Sequence, residues 1–463
     1  MISFNKYGFR ADVALAFVLV FSVWVFYKSD FTEHTKKYRR LEKIPTSFKW
    51  QSPGHVGFIN LEKRRLPKVY LEINPDDFFD YKTGIYIPGI ESDKAMFRQN
   101  IAWWDIPANY HQRGNNWERY GTICFSDDTL KQQVKIRING NATRAFSQKS
   151  LRIVPLDKKG QVWVNWNDKR GVAVIQHSAI LRNGGNDWTK CLFRDALIQE
   201  IAQNLNLEIQ PSQPFEIYIN KTYWGIHNLR PRMDEKHLAA KYGVKKKAVT
   251  IIENNFILDA GSQDLLNDFK AAIEMIQNPA EKWYSWEMIE KDINTLSFVD
   301  YLLTETFFAN TDWPKNNFKV YAIQYKDSVG KWEFILNDLD YGFGYTGLKE
   351  AIKKNMFAHI NSSKNTPVKM LWNGLLQHTE FRNLVWQRWN YLKTNEFSEA
   401  AVVSKIDEYQ NRYAPHMSRH INRWRKIGSC QNWLQNVEEL RVFVRQRHSY
   451  FENHLKSALM ITS

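Results

Sequence analysis

From Phe298 to Ala309 the chain is apolar nearly all round, broken chiefly by Asp300, Thr304 and Glu305. A helix without a polar face has to be covered on every side, so it demands a body large enough to bury it. A chain of 463 residues, 43% hydrophobic and 24% charged, can supply that body. The same figures exclude a mini-protein, a mostly disordered chain and a multi-span membrane protein. Three cysteines, Cys124, Cys191 and Cys430, lie far apart with no CxxC pair, which excludes a disulfide framework and a structural zinc site.

Around that helix the pattern changes along the chain. Residues 67–155 carry short alternating runs (KVYLEI, YGTICFS, QQVKIRI, KSLRIV) separated by NPDD, IPG and NGN, a strand-and-turn signature. Asp187 is expected to cap a helix over 188–205, where Leu192, Ala196, Leu197, Ile201 and Leu205 recur at helical spacing. PFEIYIN and YWGIHNL then read as a hairpin across Asn220–Lys221. The chain is expected to be mostly helical from 264 to 309, with Ser297 and Asp300 resembling a capping box. Val437, Leu440, Val444, Phe451, Leu455 and Leu459 mark the buried face of a final helix of about 25 residues. The expected fold class is α+β, with a β-rich part over 67–230 and a mostly helical part over 231–463.

The N-terminal end has a different character. Val13 to Tyr27 (VALAFVLVFSVWVFY) carries no charge, although the run is short of the ~20 residues that comfortably span a bilayer. No small-x-small cleavage site follows it, so an uncleaved membrane anchor over 1–30 is preferred to a cleaved signal peptide. Lys28, Lys36, Lys37, Arg39, Arg40 and Lys43 outnumber Lys6 and Arg10, which favours a cytoplasmic body. Short anchors of this form also export domains, and the side of the membrane stays open. Residues 31–66 read as a basic juxtamembrane linker. The net charge of +15 is spread over EKRR (62–65), KKK (245–247), KK (353–354) and RHINRWRK (419–426). That distribution suits anionic membranes, acidic substrates or phosphates. No nucleic-acid motif accompanies it, so no nucleic-acid partner is expected.

Chemistry is expected just after the buried helix, in NTDWPKNNFKVYAIQYKDSVGKWEFILNDLDYGFG (310–344). Asp312 precedes Asn317 by the spacing of a kinase catalytic loop, in which the Asp accepts the substrate hydroxyl proton and the Asn holds magnesium. Two strands follow, Lys319 to Tyr325 and Lys331 to Leu336, with a turn at Gly330. Asp338–Leu339–Asp340 comes at once after them. In extended chain both carboxylates face one way and can address one cation. On pattern alone, turn caps explain the pair equally well.

Several spaced segments, in this order, resemble the CotH family of spore-coat and cell-surface kinases. They are GIYIPG (84–89), NYHQRGNNWER (109–119), IRINGNATRAFSQKSLRI (136–153), AILRNGGNDW (179–188), FEIYINKTYWGIHNL (215–229), ANTDWPKNNFKVY (309–321) and FILNDLDYGFG (334–344), followed by a Trp/Arg-rich helical tail. The resemblance covers roughly 80–460. It implies an atypical protein-kinase-like fold that transfers the γ-phosphoryl group of ATP to Ser or Thr of a protein substrate, with Mg2+ or Mn2+. Residue by residue, it implies that Asp312 is catalytic and that Asn317 and Asp338 are metal ligands, with Asp340 and Asn316 supporting; Asp340 is also a candidate ligand. The turn 140–144 with Arg144 and Lys149 is the expected phosphate cradle, and Glu200 the expected carboxylate partner of Lys149. Arg182, Asn183 and Asp187 match a family motif without an assigned role.

Departures set the alternatives. There is no GxGxxG loop and no His-Arg before Asp312, which excludes an ordinary protein kinase. Arg230 is followed by Pro231 where the family often has Glu. With 18 Trp and 21 Tyr available for stacking on sugars, a non-catalytic adhesion or glycan-binding protein on the same fold remains open. So does a kinase of a small molecule or glycan.

Overall fold

The computed structural model describes residues 65–95, 101–125, 131–156, 162, 164, 177–278 and 285–461. The anchor expected over 1–30 and nearly all of the expected linker lie outside the described residues. Among the described residues, no helix is long and apolar enough to cross a membrane.

Strands β1 (Lys68–Ile73), β2 (Arg119–Phe125), β3 (Gln132–Asn139), β4 (Ser150–Pro155), β5 (Ala179–Arg182), β6 (Gln213–Ile219) and β7 (Thr222–Pro231) close into a barrel in the order β1-β2-β3-β4-β5-β7-β6. Alternation builds it: Val69, Leu71 and Ile73 are buried between the exposed Tyr70 and Glu72, and Val134, Ile136 and Ile138 repeat the pattern on β3. The expected hairpin forms. Asn220 and Lys221 take φ of 47° and 66°, as a two-residue turn between twisted strands requires. Asn220 has a second task that sequence pattern does not reveal. Its side chain donates to Ile73 O at 2.7 Å and accepts from Ile73 N at 2.9 Å, and its own N–H donates to Leu71 O at 2.8 Å. These bonds stitch the turn to β1, where β1 and β6 run parallel, and help to close the barrel.

After the barrel comes a four-stranded sheet, β11-β10-β8-β9, from β8 (Val249–Glu253), β9 (Ile257–Ala260), β10 (Lys319–Ile323) and β11 (Glu333–Phe334). The remaining architecture is mostly helical and includes α1 (Arg194–Ile201), α2 (Gln263–Gln277), α3 (Trp286–Asp292), α4 (Thr295–Phe307), α5 (Leu348–Lys353), α6 (Glu399–Trp424) and α7 (Cys430–Ala458). The helix expected over 188–205 is shorter, because Gly185–Thr189 forms a 3-10 turn. Asp187 nevertheless caps it: its carboxylate accepts the Arg194 N–H at 3.0 Å and pairs with Arg194 Nε at 2.9 Å. The helical stretch from 264 to 309 divides into α2, α3 and α4. Asn294, rather than Ser297, caps α4 by accepting the Ser297 N–H at 3.0 Å. Ser297 Oγ accepts the Phe334 N–H at 3.1 Å, and Asp300 pairs with Arg388 at 2.6 Å, so the expected capping box is not formed. The final helix is 29 residues long, with Val437, Leu440, Val444, Phe451 and Leu455 buried.

Two contacts fix the helical tail to the rest. Gly225 on β7 has φ +96°, and a Cβ there would lie 2.5 Å from Trp424 Nε1, so α6 rests directly on barrel backbone. Trp424 Nε1 donates to Trp224 O at 3.0 Å and His420 Nδ1 accepts the Ile226 N–H at 3.0 Å. Arg447, on α7, is fully buried. It donates to Thr306 O and Phe307 O at the end of α4, and to Ala351 O, Ile352 O and Lys354 O at the end of α5. Cations favour helix C-termini, and one guanidinium here serves two of them. Burial brings its pKa down to about 9.

Arg447→Met keeps much of the volume and leaves those carbonyls without a donor. It is expected to cost roughly 4 kcal/mol or more, read as a large fall in melting temperature and urea midpoint. A loss within the range of ordinary surface substitutions would contradict this role.

Candidate active site

The turn between α4 and β10 carries Asp312, Asn316 and Asn317. Asp312 Oδ1 accepts from Asn316 Nδ2 and Oδ2 from Asn317 Nδ2, both at 2.9 Å, so two amides hold the carboxylate in one orientation. Asn317 Nδ2 and Asn310 Nδ2 each reach Asp338 O at 3.4 Å, which joins this turn to the segment after β11. Ala309, Asn317 and Asp338 all adopt left-handed backbone, with φ of 52°, 68° and 55°. Such conformations cost energy outside glycine and concentrate at functional sites. Asp312, Asn317 and Asp338, expected from the sequence to act together, are thus brought together.

The acidic pair faces a cation that belongs to the protein. Arg182, at the end of β5, donates through Nη2 to Asp338 Oδ1 and to Asp340 Oδ2, the latter at 2.8 Å. The two carboxylates differ in setting: the Asp338 side chain is 36% exposed and that of Asp340 only 2%. Asp340 also accepts from Asn186 N at 2.8 Å and Asn186 Nδ2 at 3.2 Å. Burial and the Asp338 charge push the Asp340 carboxyl up, against Arg182 and the Asn186 N–H. Behind them Asp195 on α1 pairs with Arg230, lies 4.0 Å from Arg182 Nε and accepts the Leu339 N–H at 2.8 Å. Burial opposes its ionisation, but the Arg230 and Arg182 charges win and hold it at about 2. Glu305 on α4 lies beneath the same cluster; Asn310 Nδ2 donates to its Oε2 at 2.8 Å, and burial raises it well above the usual carboxylate range.

This donor set fits a hard divalent cation held jointly with phosphates. Asp338 offers a partly exposed carboxylate, and the Asn317 amide, whose nitrogen is committed to Asp312 and Asp338 O, leaves its oxygen as acceptor. Among the described residues no group of three His, Cys, Asp or Glu side chains converges as a metal cage. Magnesium commonly takes one or two carboxylates plus substrate phosphates, so a full cage is not required. Asp340 is committed to Arg182 and Asn186 and supports the pair from below.

The expected phosphate cradle has a different geometry. Arg144 is buried and donates to Gly140 O (2.7 Å), Tyr110 O (2.7 Å), Gln112 O (3.3 Å) and Ile138 O (2.7 Å), which spends its guanidinium on the loop backbone. Lys149 is buried too. Its Nζ donates to Arg144 O at 2.6 Å and Phe146 O at 2.9 Å and sits 3.8 Å from the Tyr110 ring centroid. Burial lowers its pKa well below the usual lysine value. Glu200 does not meet Lys149; it pairs with Lys405 at 3.2 Å and accepts from Tyr409 OH at 2.7 Å. Both expectations, the cradle cations and the Lys149–Glu200 pair, are therefore corrected: these groups hold the barrel turn and α6 in place.

The sequence assigns no role in the site to Arg182, Asn186, Asp195, Arg230 or Glu305. The signal for the first two was AILRNGGNDW, in which Gly185 has φ +65° and a Cβ would lie 2.0 Å from Asp340 Oδ2 and 2.3 Å from Arg182 Nη2. Only glycine allows that approach. Gly185→Ala is expected to add roughly 1–2 kcal/mol of backbone strain and to break the Arg182–Asp340 pair, lowering the melting temperature by several degrees. An unchanged melt would mean that the loop shifts freely and the close approach is not required.

Comparison with known proteins gives one family. No curated protein matches the chain. Among solved structures, the Helicobacter pylori proinflammatory kinase CtkA matches with 10% identity and a TM-score of 0.31, over 67% of this chain and 94% of that one, a likeness too low to carry an argument. The family model described as CotH kinase protein matches residues 136–451. That span is most of the chain and contains every residue of the site described above, and the chain belongs to the CotH kinase family.

Proposed function

We propose that this chain is a metal-dependent atypical kinase that transfers the γ-phosphoryl group of ATP to a Ser or Thr hydroxyl of a protein. The observation that carries the reading is the Asp312 carboxylate held by the Asn316 and Asn317 amides, next to the partly exposed Asp338. A carboxylate has about four lone-pair positions, so Asp312 can accept a substrate O–H while keeping both amide bonds. It orients the hydroxyl and takes its proton as the oxygen–phosphorus bond forms. The bond from the γ-phosphorus to the β-bridging oxygen breaks, and its electron pair leaves with ADP. Asn317 and Asp338 would hold the metal, which when bound neutralises phosphate charge.

Asp312 and Asp338 should fail differently on substitution. Asp312→Asn retains hydrogen bonding but cannot take a proton, and is expected to lower turnover by about a hundredfold or more with metal-dependent ATP binding largely kept. Asp338→Asn is expected to weaken metal-dependent ATP binding itself by about tenfold or more, since an amide is a poor ligand for a hard dication. Incubation with radiolabelled ATP and Mg2+ or Mn2+, followed by identification of the labelled product, checks both. Wild-type labelling in both variants places the active site elsewhere. A labelled sugar or small molecule would replace protein as the substrate class, and absence of both ATP binding and labelling in the wild type would favour the adhesion alternative.

The uncharged run 13–27 is proposed as a membrane anchor on the strength of its sequence. Deleting 1–30 is expected to move the protein from the membrane to the soluble fraction with its cooperative melt intact. Aggregation, or loss of that melt, would make the segment part of the core.

A further inference from the structure

Arg182 occupies an unusual position for a structural ion pair. One of its nitrogens, Nη2, serves both members of the acidic pair, while its Nε is buried without a hydrogen-bond partner, 4.0 Å from Asp195 Oδ2. Asp195 is already committed to Arg230 and to the Leu339 N–H. The side chain is 16% exposed, so Arg182 is not sealed beneath the acidic pair. Its two carboxylate contacts are unequal. Asp340 is buried and fixed by Asn186, whereas Asp338 is partly exposed and, among the described residues, its carboxylate is bonded by Arg182 alone. A dication coordinated by Asp338 would have to share that carboxylate with a guanidinium in direct contact, and two cations at that separation repel strongly in a partly buried site.

Resting on the kinase reading above, we propose that Arg182 is an exchangeable counter-ion: it holds Asp338 before metal arrives, yields it to the metal, and turns the freed N–H donors to the polyphosphate of the nucleotide while staying anchored on Asp340. Guanidinium groups suit both partners, because carboxylate and phosphate oxygens accept the same donor fork. No bond is made or broken; only hydrogen-bond partners change. The exchange makes the two ligands cooperative. Metal alone must displace a resident cation, whereas metal with polyphosphate gives that cation a new partner. Arg182 on β5 thereby fills the role that the sequence assigned to Lys149.

The test uses the full chain and counts protein-bound Mn2+ by equilibrium dialysis across a membrane that passes both free Mn2+ and Mn2+–ATP, with and without ATP, in wild type, Arg182→Met and Arg182→Lys. Wild type is expected to bind Mn2+ alone weakly and about tenfold or more tightly with ATP. Arg182→Met is expected to bind Mn2+ alone several-fold more tightly than wild type and to lose most of the ATP enhancement. Arg182→Lys, which keeps the charge but not the fork, should retain less than half of the enhancement, and it carries the test if the Met variant fails to give a native circular dichroism melt. Equal ATP enhancement in wild type and the variants overturns the exchange and leaves the kinase reading standing. Weaker binding of Mn2+ alone by Arg182→Met also overturns it. If ATP does not enhance Mn2+ binding in the wild type, the nucleotide reading and the exchange fall together.

Discussion

The site depends on a chain of opposite charges running through the join between barrel and helices: Arg230, Asp195, Arg182, then Asp340 and Asp338. The five members come from four elements, β7, α1, β5 and the segment after β11, which carries both Asp338 and Asp340. Removing either arginine leaves buried carboxylates without their cation, which is far costlier than the pair is worth when complete. The charge chain therefore sets where Asp338 stands, and through Asp338 O, which Asn310 and Asn317 contact, it also sets the turn that bears Asp312.

The surrounding architecture serves that join. Asp187 binds the first N–H of α1 and fixes Asp195 one residue further on. Arg447 satisfies the last carbonyls of α4, so the chain leaves that helix in a defined direction towards Asn310. The apolar character of α4 has the same consequence at larger scale. A helix buried on all sides is held by many neighbours at once, and its C-terminus can present Glu305 and Asn310 beneath the site without fraying.

Much of this was legible in the sequence, and the pattern of success has a physical reason. Local periodicity gave the strands Lys68–Ile73 and Ser150–Pro155, the Asn220–Lys221 hairpin and the buried face of α7, because each is decided by near neighbours. The spacing from Asp312 to Asn317, and the hairpin that leads to Asp338, likewise lie within one continuous stretch of chain. Barrel closure is not legible locally, since it rests on the parallel pairing of β1 with β6, supported by Asn220 meeting Ile73 across 147 residues. Nor are the fates of Arg144 and Lys149, because a cation beside a small-residue turn looks the same in sequence whether it faces phosphate or its own loop carbonyls. Nor does the motif around Arg182 reveal its role, as its partners lie 156 and 158 residues away. Long-range charge pairing is the part of the fold that one sequence hides best.

The central claim is that Asp338 and Asn317 form the metal end of a nucleotide site assembled by this charge chain. A crystal of the protein with Mn2+ and a non-hydrolysable ATP analogue, read by anomalous scattering at the manganese edge, tests it most directly. The account predicts a manganese peak coordinated by the Asp338 carboxylate and the Asn317 amide oxygen, with the terminal phosphate of the analogue facing Asp312. A manganese peak and nucleotide bound away from these three residues would contradict it.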